Sequence, residues 1–151
     1  MRTNAAPSFS AILPPPGFIL PVRVYYEDTD AGGVVYYANY LRFCERARSE
    51  WLRTLGIGQR GLLADGGLAF VVRSLRADYL APARLDDSLA VTSALHDLRR
   101  VSVYFLQHIW RGDTRLFTAE VKIACITSGT GRPAPWPETI RARLHDQLTS
   151  S

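Results

Sequence analysis

The stretch YYEDTDAGGVVYYANYLRFCERARSEWLRTL, residues 25–55, organises this chain of 151 residues. Three carboxylates lie close together near its start, at Glu27, Asp28 and Asp30. Two glycines, Gly32 and Gly33, and a long amphipathic pattern follow them. Like charges repel one another, so a chain in which these carboxylates have no function is more stable if they are farther apart. The glycine pair allows backbone conformations that other residues avoid, and lets a ligand approach the main chain. The stretch is therefore a candidate for chemistry at the start of a helix.

Residues 38–55 predict a long α-helix. Apolar side chains recur there at spacings of three and four, on one face of the helix: Tyr40, Cys44, Ala47, Trp51 and Leu55. Gly56 is the type of residue that commonly follows the last helical turn. At about 1.5 Å per residue this helix is about 26 Å long. So broad an apolar face needs a sheet to cover it.

Strand-like runs make up most of the remaining chain. An alternating run is predicted at 22–27, and a short helical turn is predicted at 59–65, ended by Gly66 and Gly67. Four further strands and a final helix are then predicted: 68–80, 88–98, 101–111, 114–127 and 138–148. The short connections, including 81–87, predict that consecutive strands are antiparallel neighbours. The fold class expected is α+β, with a curled antiparallel sheet of about five strands around one long helix.

Composition and length indicate one globular domain. With 47% hydrophobic and 21% charged residues, the chain is long enough to bury a core. We expect a flexible N-terminal leader at 1–20 and a single domain at 21–151. The triple proline at 14–16 breaks any signal-peptide core, and no apolar run approaches the ~20 residues that span a bilayer. A cytoplasmic protein is expected.

Charge and cysteine content narrow the classes of partner. The net charge is +4, and 17 of the 18 basic residues are arginine, without a basic run. This spread argues against a nucleic-acid partner, whereas a polyanionic small ligand fits it. Cys44 and Cys125 stand at apolar positions of two different predicted elements. Buried free thiols are therefore expected, and not a disulfide or a metal site.

Two blocks of sequence resemble a known family. Residues 22–40 with ERAR at 45–48, and FVVR at 70–73 continuing to YLAPARLDD at 79–87, resemble the hot-dog-fold acyl-CoA thioesterases. More narrowly, they are similar to the 4-hydroxybenzoyl-CoA thioesterase branch and its Tol–Pal-associated acyl-CoA thioesterase subgroup. The similarity runs in matching order over about residues 21–145. The resemblance implies a hot-dog fold, an acyl-CoA substrate, no metal or other cofactor, and homodimers or homotetramers with acyl-CoA bound between subunits.

The resemblance assigns the catalytic carboxylate to Asp30, the second aspartate of the Asp-x-Asp pair. A thioester carbonyl is electrophilic and thiolate leaves readily, so Asp30 could attack to form a mixed anhydride or act as general base on water. Backbone N–H groups would polarise the carbonyl, either at Gly66 and Gly67 and the residues after them or at the start of the central helix. The alternative for Asp30 is a turn or helix-capping residue.

Three further positions are candidates with open alternatives. Tyr37 could line the acyl pocket or belong to the core; the Tol–Pal-associated subgroup commonly has histidine there, whereas the hydroxybenzoyl enzymes carry tyrosine. Arg99 and Arg100 could hold the CoA phosphates or form a solvated turn. Glu45 is a second candidate carboxylate, although a salt bridge with a neighbouring arginine, Arg42 or Arg48, is the favoured interpretation.

Metal chemistry is not expected. The pattern Asp28-x-Asp30-x-x-Gly33 is similar to the start of a calcium loop, but Gly32 and Asn39 stand where that loop requires ligands. The histidines are scattered, and we predict surface or strand-edge positions for them instead of metal ligation: His96, His108 and His145.

The main hypothesis is therefore an acyl-CoA thioester hydrolase. The alternative from another class is a non-hydrolytic module that binds acyl-carrier protein or another protein. A hot-dog dehydratase ranks last, because it would need a histidine paired with a carboxylate, and no histidine is near Asp30 in the sequence.

Overall fold

A computed structural model describes residues 17–148, apart from the side chain of Asp65. A 3-10 turn, Tyr26–Asp28, lies between the first strand and the first α-helix. The other elements in chain order are β1 (Phe18–Arg23), α1 (Tyr37–Thr54), α2 (Gln59–Gly66), β2 (Leu68–Tyr79), β3 (Ser88–His96), β4 (Ser102–Arg111), β5 (Thr114–Thr127) and α3 (Glu138–Asp146). Residues 1–16 of the predicted leader lie outside the described residues.

The five strands form one antiparallel sheet in the order β1-β3-β4-β5-β2. The apolar face of α1 packs against the sheet, and its buried residues are Tyr40, Phe43, Cys44, Ala47, Arg48, Trp51 and Leu52. They include four of the five residues that the spacing predicted, whereas Leu55 is half-buried just after the end of the helix. Trp51, for example, meets Phe105 of β4 edge-on, with ring centroids 5.9 Å apart. The α+β class and the sheet around one long helix are confirmed.

The predicted pairing of β2 with β3 is wrong. β2 pairs with β5, while β3 lies between β1 and β4. The connection between them crosses one end of the sheet: the N–H groups of Leu80 and Ala81 donate to Leu116, and that of Asp86 donates to Val24. Neighbouring strands are about 4.8 Å apart, so a few extended residues span three strand spacings. A link that is short in sequence was therefore long enough to pass β5 and β4 and reach β3.

The first strand is displaced relative to its prediction. It covers 18–23 and not 22–27, so residues 18–20, predicted as leader, belong to the sheet. Phe18 pairs with Ser93 of β3, and its ring stacks on Trp51 at 6.1 Å. The strand stops early because the N–H of Tyr25 donates to Oδ2 of Asp28 at 2.8 Å, which closes the 3-10 turn.

Both cysteines are buried and free, as predicted. Burial raises the pKa of the Cys44 thiol to about 12, so this thiol stays protonated at neutral pH. None of the helices within residues 17–148 combines the length and the apolar character needed to cross a lipid bilayer.

Candidate active site

Asp30 opens a tight turn just before α1. Its N–H donates to the carbonyl of Val34 at 2.9 Å, and its carbonyl accepts the N–H of Gly33 at 3.0 Å. Gly33 has φ of +80°, a left-handed conformation that favours glycine. A bridge between Thr29 and Val35 closes the base of the turn. The glycines thus let the chain reverse and present Asp30 at the surface.

The two carboxylate oxygens of Asp30 have different surroundings. Oδ1 accepts the N–H of Gly32 at 2.8 Å, which is the turn interaction that the alternative interpretation predicted. Oδ2 accepts no hydrogen bond within residues 17–148, and the residue is exposed. One oxygen therefore holds the turn while the other is open to a substrate.

The neighbouring Asp28 has a structural role. Its carbonyl accepts the N–H of Tyr36 at 3.0 Å and the amide Nδ2 of Asn39 at 2.9 Å. Its carboxylate accepts the N–H of Tyr25. Asp28 therefore ties the turn to the first residues of α1, and this fixes the start of the helix beside Asp30.

Unused N–H groups point out of the start of α1. The N–H groups of Tyr37 and Ala38 donate to no acceptor in the described part of the chain. The first N–H groups of a helix lack internal partners and carry a partial positive charge. The other predicted donors differ: the N–H of Gly67 donates to Leu63 as the cap of α2. Of the two predicted sources of N–H groups, the geometry favours the start of α1.

Tyrosines surround this helix start. Tyr37 is 63% exposed, which rules out the core interpretation of its ring. The hydroxyl of Tyr79 donates to the carbonyl of Tyr37 at 2.9 Å, and the hydroxyl of Tyr40 accepts the N–H of Ala83 at 2.9 Å. Both rings rest on Phe117, with centroids 5.3 Å away for Tyr40 and 4.9 Å for Tyr79. Tyr79 was not among the predicted site residues, although it opens the second block of the resemblance.

Burial raises the pKa of Tyr79, and the neighbouring Tyr37, Tyr40 and Cys44 raise it further. Its hydroxyl therefore remains a hydrogen-bond donor at neutral pH. The Tyr79 hydroxyl therefore donates an ordinary hydrogen bond to the carbonyl of Tyr37 in the helix.

Arg99 and Arg100 lie in the turn between β3 and β4. Arg99 forms two hydrogen bonds with the carboxylate of Asp97, at 2.8 and 3.2 Å, whereas Arg100 is exposed. The nine residues of β3 separate this turn from the Asp30 end of the sheet by about 30 Å. Gly66 and Gly67 precede β2 at the same far end. Within one chain, the predicted phosphate-binding and catalytic residues are not brought together.

Of the three histidines, His108 lies inside the sheet. It is half-buried in the middle of β4, between Thr92 and Thr118, so the prediction of a surface or edge position is wrong for it. Its Nδ1 is buried without a hydrogen-bond partner among the described residues. Burial, followed by the positive charge of Arg115, lowers the pKa of His108 from 6.5 to about 4.

This depressed pKa predicts a loss of stability in mild acid. Below about pH 6.5 the unfolded chain protonates His108 while the folded chain keeps it neutral, so stability falls as the pH drops from 6.5 towards 4. We expect His108→Gln to show a smaller fall in melting temperature between pH 7 and pH 5 than the wild type. His145→Gln, on the exposed side of α3, is the control; equal pH dependence in all three proteins would contradict the prediction.

Glu45 forms no ion pair with Arg42 or Arg48 among the described residues, so the predicted salt bridge is wrong. The reason is that Arg48 turns into the protein and donates to Oε1 of Gln107 at 2.9 Å. Both Glu45 and Arg48 line a cavity of about 260 Å³ between α1 and β2. This cavity lies along α1 from the Asp30 turn and was not predicted.

Comparison with known proteins places the chain in a family. Residues 24–144 match the family described as the thioesterase-like superfamily. The acyl-CoA thioesterase YbgC of Haemophilus influenzae is 48% identical over 129 residues, which cover 85% of this chain and 95% of that protein. A probable thioesterase from Bartonella henselae superposes with a TM-score of 0.75 at 39% identity, over 80% of this chain and 99% of that one. A 1,4-dihydroxy-2-naphthoyl-CoA thioesterase from Synechocystis superposes with a TM-score of 0.80 at 25% identity, over 86% and 96%. The chain therefore belongs to the thioesterase-like superfamily.

Proposed function

We propose that the protein is an acyl-CoA thioesterase that hydrolyses acyl-CoA to the free acid and CoA, with Asp30 as the catalytic carboxylate. The observation that carries this proposal is the free Oδ2 of Asp30 beside a helix start with two unused N–H groups. The H. influenzae relative, named an acyl-CoA thioesterase, supports the reaction class.

In the general-base form of the reaction, Oδ2 of Asp30 takes a proton from water while the water oxygen attacks the thioester carbonyl. The N–H groups of Tyr37 and Ala38 stabilise the oxyanion, a contribution of about 10²–10³ in rate where it has been measured in other enzymes. The C–S bond then breaks, and the CoA thiolate takes up a proton. In the nucleophilic form, Oδ2 bonds to the carbonyl carbon, the thiolate leaves, and water hydrolyses the mixed anhydride.

A homo-oligomer would complete the site. β2 is an edge strand with exposed apolar side chains at Val72, Leu75 and Tyr79. Unpaired edges of this kind are usually covered. Pairing of two β2 strands about a two-fold axis would set the far end of one chain, with Arg100, beside the Asp30 end of the other. We propose a homodimer or homotetramer on this basis, to be measured by sedimentation equilibrium; a monomer at micromolar concentration would oppose it.

The decisive experiment is thiol release from a panel of CoA thioesters: short aliphatic, long aliphatic, benzoyl and hydroxybenzoyl. Turnover of one or more substrates is expected, and the best of them identifies the acyl group that the site accepts. If the panel gives no turnover and the folded protein binds acyl-carrier protein, the non-hydrolytic module replaces the thioesterase as the proposed function.

The Tyr79 hydroxyl is expected to assist catalysis through the backbone. The carbonyl of Tyr37, which accepts this hydroxyl, belongs to the same peptide group as the N–H of Ala38. A hydrogen bond on the carbonyl strengthens that N–H as a donor and fixes its direction. Tyr79→Phe should therefore lower kcat about two- to tenfold with little change in KM, as expected for one hydrogen bond.

Tyr104→Phe, a tyrosine on the outer face of β4, is the matched control for Tyr79→Phe and should keep the wild-type kcat. An unchanged kcat in Tyr79→Phe, with turnover otherwise normal, would contradict the positioning role.

We propose a cytoplasmic location, since CoA thioesters and the two free thiols both fit a reducing compartment. An association with the Tol–Pal envelope system stays a prediction that rests on the resemblance.

A further inference from the structure

The connection at 81–87, between β2 and β3, contacts both parts of the candidate active site. The carbonyl of Ala83 accepts the N–H of Val35, at the base of the Asp30 turn, at 2.8 Å. The N–H of Ala83 donates to the hydroxyl of Tyr40, in the first turn of α1, at 2.9 Å. Ala83 is fully buried, so both hydrogen bonds are shielded from water. This one residue therefore links the turn that carries the carboxylate to the helix that carries the N–H donors.

An ion pair holds the 81–87 connection against the sheet. Oδ2 of Asp87 accepts the backbone N–H of Arg84 at 2.8 Å and Nη1 of Arg111 at 2.9 Å. The same Nη1 of Arg111 donates to the carbonyl of Pro82 at 3.1 Å. Arg111 is the last residue of β4, so its backbone is fixed by the sheet. Hydrogen bonds between charged groups are stronger than those between neutral groups. One guanidinium nitrogen therefore ties both ends of the connection to β4.

The backbone of the connection is strained beside this ion pair. Asp86 has φ of +70°, a left-handed conformation that favours glycine. Residues in such conformations persist only where the surrounding contacts impose them. The N–H of Asp86 donates to the carbonyl of Val24 at 3.0 Å, and its carbonyl accepts Nη1 of Arg23 at 2.9 Å. The shape of the connection thus depends on contacts with distant residues, and loss of one of them should let it move.

We propose that Arg111 and Asp87 are positioning residues for the thioesterase reaction: their ion pair holds the 81–87 connection, which sets the distance between Asp30 and the start of α1. Both parts of the site act on the same thioester carbonyl, and a misplacement of 1 Å costs about 10²-fold in rate in other enzymes. The kinetic consequence of this inference rests on the proposed function. Its structural consequence, the ordering of the Asp30 turn, is measurable without turnover.

The kinetic test is thiol release by variants of Arg111 at a temperature where they are folded. Arg111→Met should lower kcat about tenfold and change KM by no more than about twofold, because the displaced groups act in the transition state. Arg111→Lys should restore most of the kcat, since its ammonium group keeps the charge and has donors for Asp87 and Pro82. A role in stability alone would lower the melting temperature and leave kcat per folded molecule unchanged. Arg53→Met, which removes the exposed ion pair with Glu50 on α1, is the matched control and should keep the wild-type kcat.

The second measurement is amide hydrogen exchange by ¹⁵N NMR. In Arg111→Met the amides of Val35 and Ala83 should exchange about tenfold faster than in the wild type, while that of Trp51, farther along α1, should not change. Unchanged exchange at Val35 and Ala83, or an unchanged kcat in an active protein, would overturn the proposal. A wild type without turnover would reject the proposed function, and exchange would still decide whether the ion pair orders the turn. If Arg111→Met does not fold, Asp87→Asn decides: a lower kcat with faster exchange supports the proposal, and wild-type values reject it.

Discussion

Asp30→Asn is expected to fold like the wild type and to lose ~10²-fold or more in kcat/KM, the scale of a positioned acid–base group. The asparagine side chain keeps an oxygen that can accept the N–H of Gly32, the bond that Oδ1 of Asp30 makes at 2.8 Å. The turn is therefore preserved, while the negative charge and the basicity of Oδ2 are removed. The measurement is thiol release by both proteins from the best CoA thioester of the panel.

Glu27→Gln is the matched control, since it removes an equal charge three positions earlier in the same exposed segment. Its kcat/KM should remain close to that of the wild type. If Asp30→Asn folds and is as active as the wild type, the prediction is wrong, and the role of Asp30 is limited to stabilising the turn. A similar loss in Glu27→Gln would show that the charge of the segment matters, and not the position of one carboxylate.

Phe117→Ala should be the most destabilising change near the site, at about 3–5 kcal/mol of unfolding free energy. Phe117 is fully buried on β5 and supports the rings of Tyr40 and Tyr79 from below. Truncation leaves a cavity under both tyrosines. The melting temperature should fall by roughly 10 °C or more for a domain of this size, and kcat should fall as the start of α1 loosens.

Two further variants, measured in the same thermal melts, serve as comparisons for the loss of stability in Phe117→Ala. Phe117→Leu keeps most of the volume and should cost less than about 1.5 kcal/mol. Leu106→Ala changes a partly exposed residue on β4 and should cost no more than about 0.5 kcal/mol. A melting temperature of Phe117→Ala close to that of Leu106→Ala would contradict the view that Phe117 supports the site.

Local pattern was sufficient for most of the elements, although not for the bounds of β1. The apolar spacing of residues 38–55 predicted α1 to within one residue at each end, because helix periodicity is a property of neighbouring residues. Alternation predicted β5 at its observed bounds. The choice of Asp30 came from a contiguous motif and its resemblance, and its role as a catalyst stays a prediction.

The features that were predicted wrongly depend on contacts between residues that are far apart in the sequence. The partner of β2 is β5, some 50 residues away in the sequence. The alternation of residues within a strand does not identify the strand with which it pairs. Arg48 was predicted as a salt-bridge partner of Glu45, yet its guanidinium donates inside the protein to Gln107, 59 positions later. Likewise, Gly67 looked like a possible N–H donor until the fold showed its N–H used in the cap of α2.

The sequence by itself determined the central helix, four of the five strands, the fold class and the carboxylate worth testing, because these depend on residues that are close along the chain. Only the tertiary structure decided the strand order, the free N–H groups beside Asp30, the support from Tyr79 and the cavity at Arg48. Each of these depends on which distant segments meet. That outcome is set by the packing of the whole core, to which every element contributes and which no single stretch encodes.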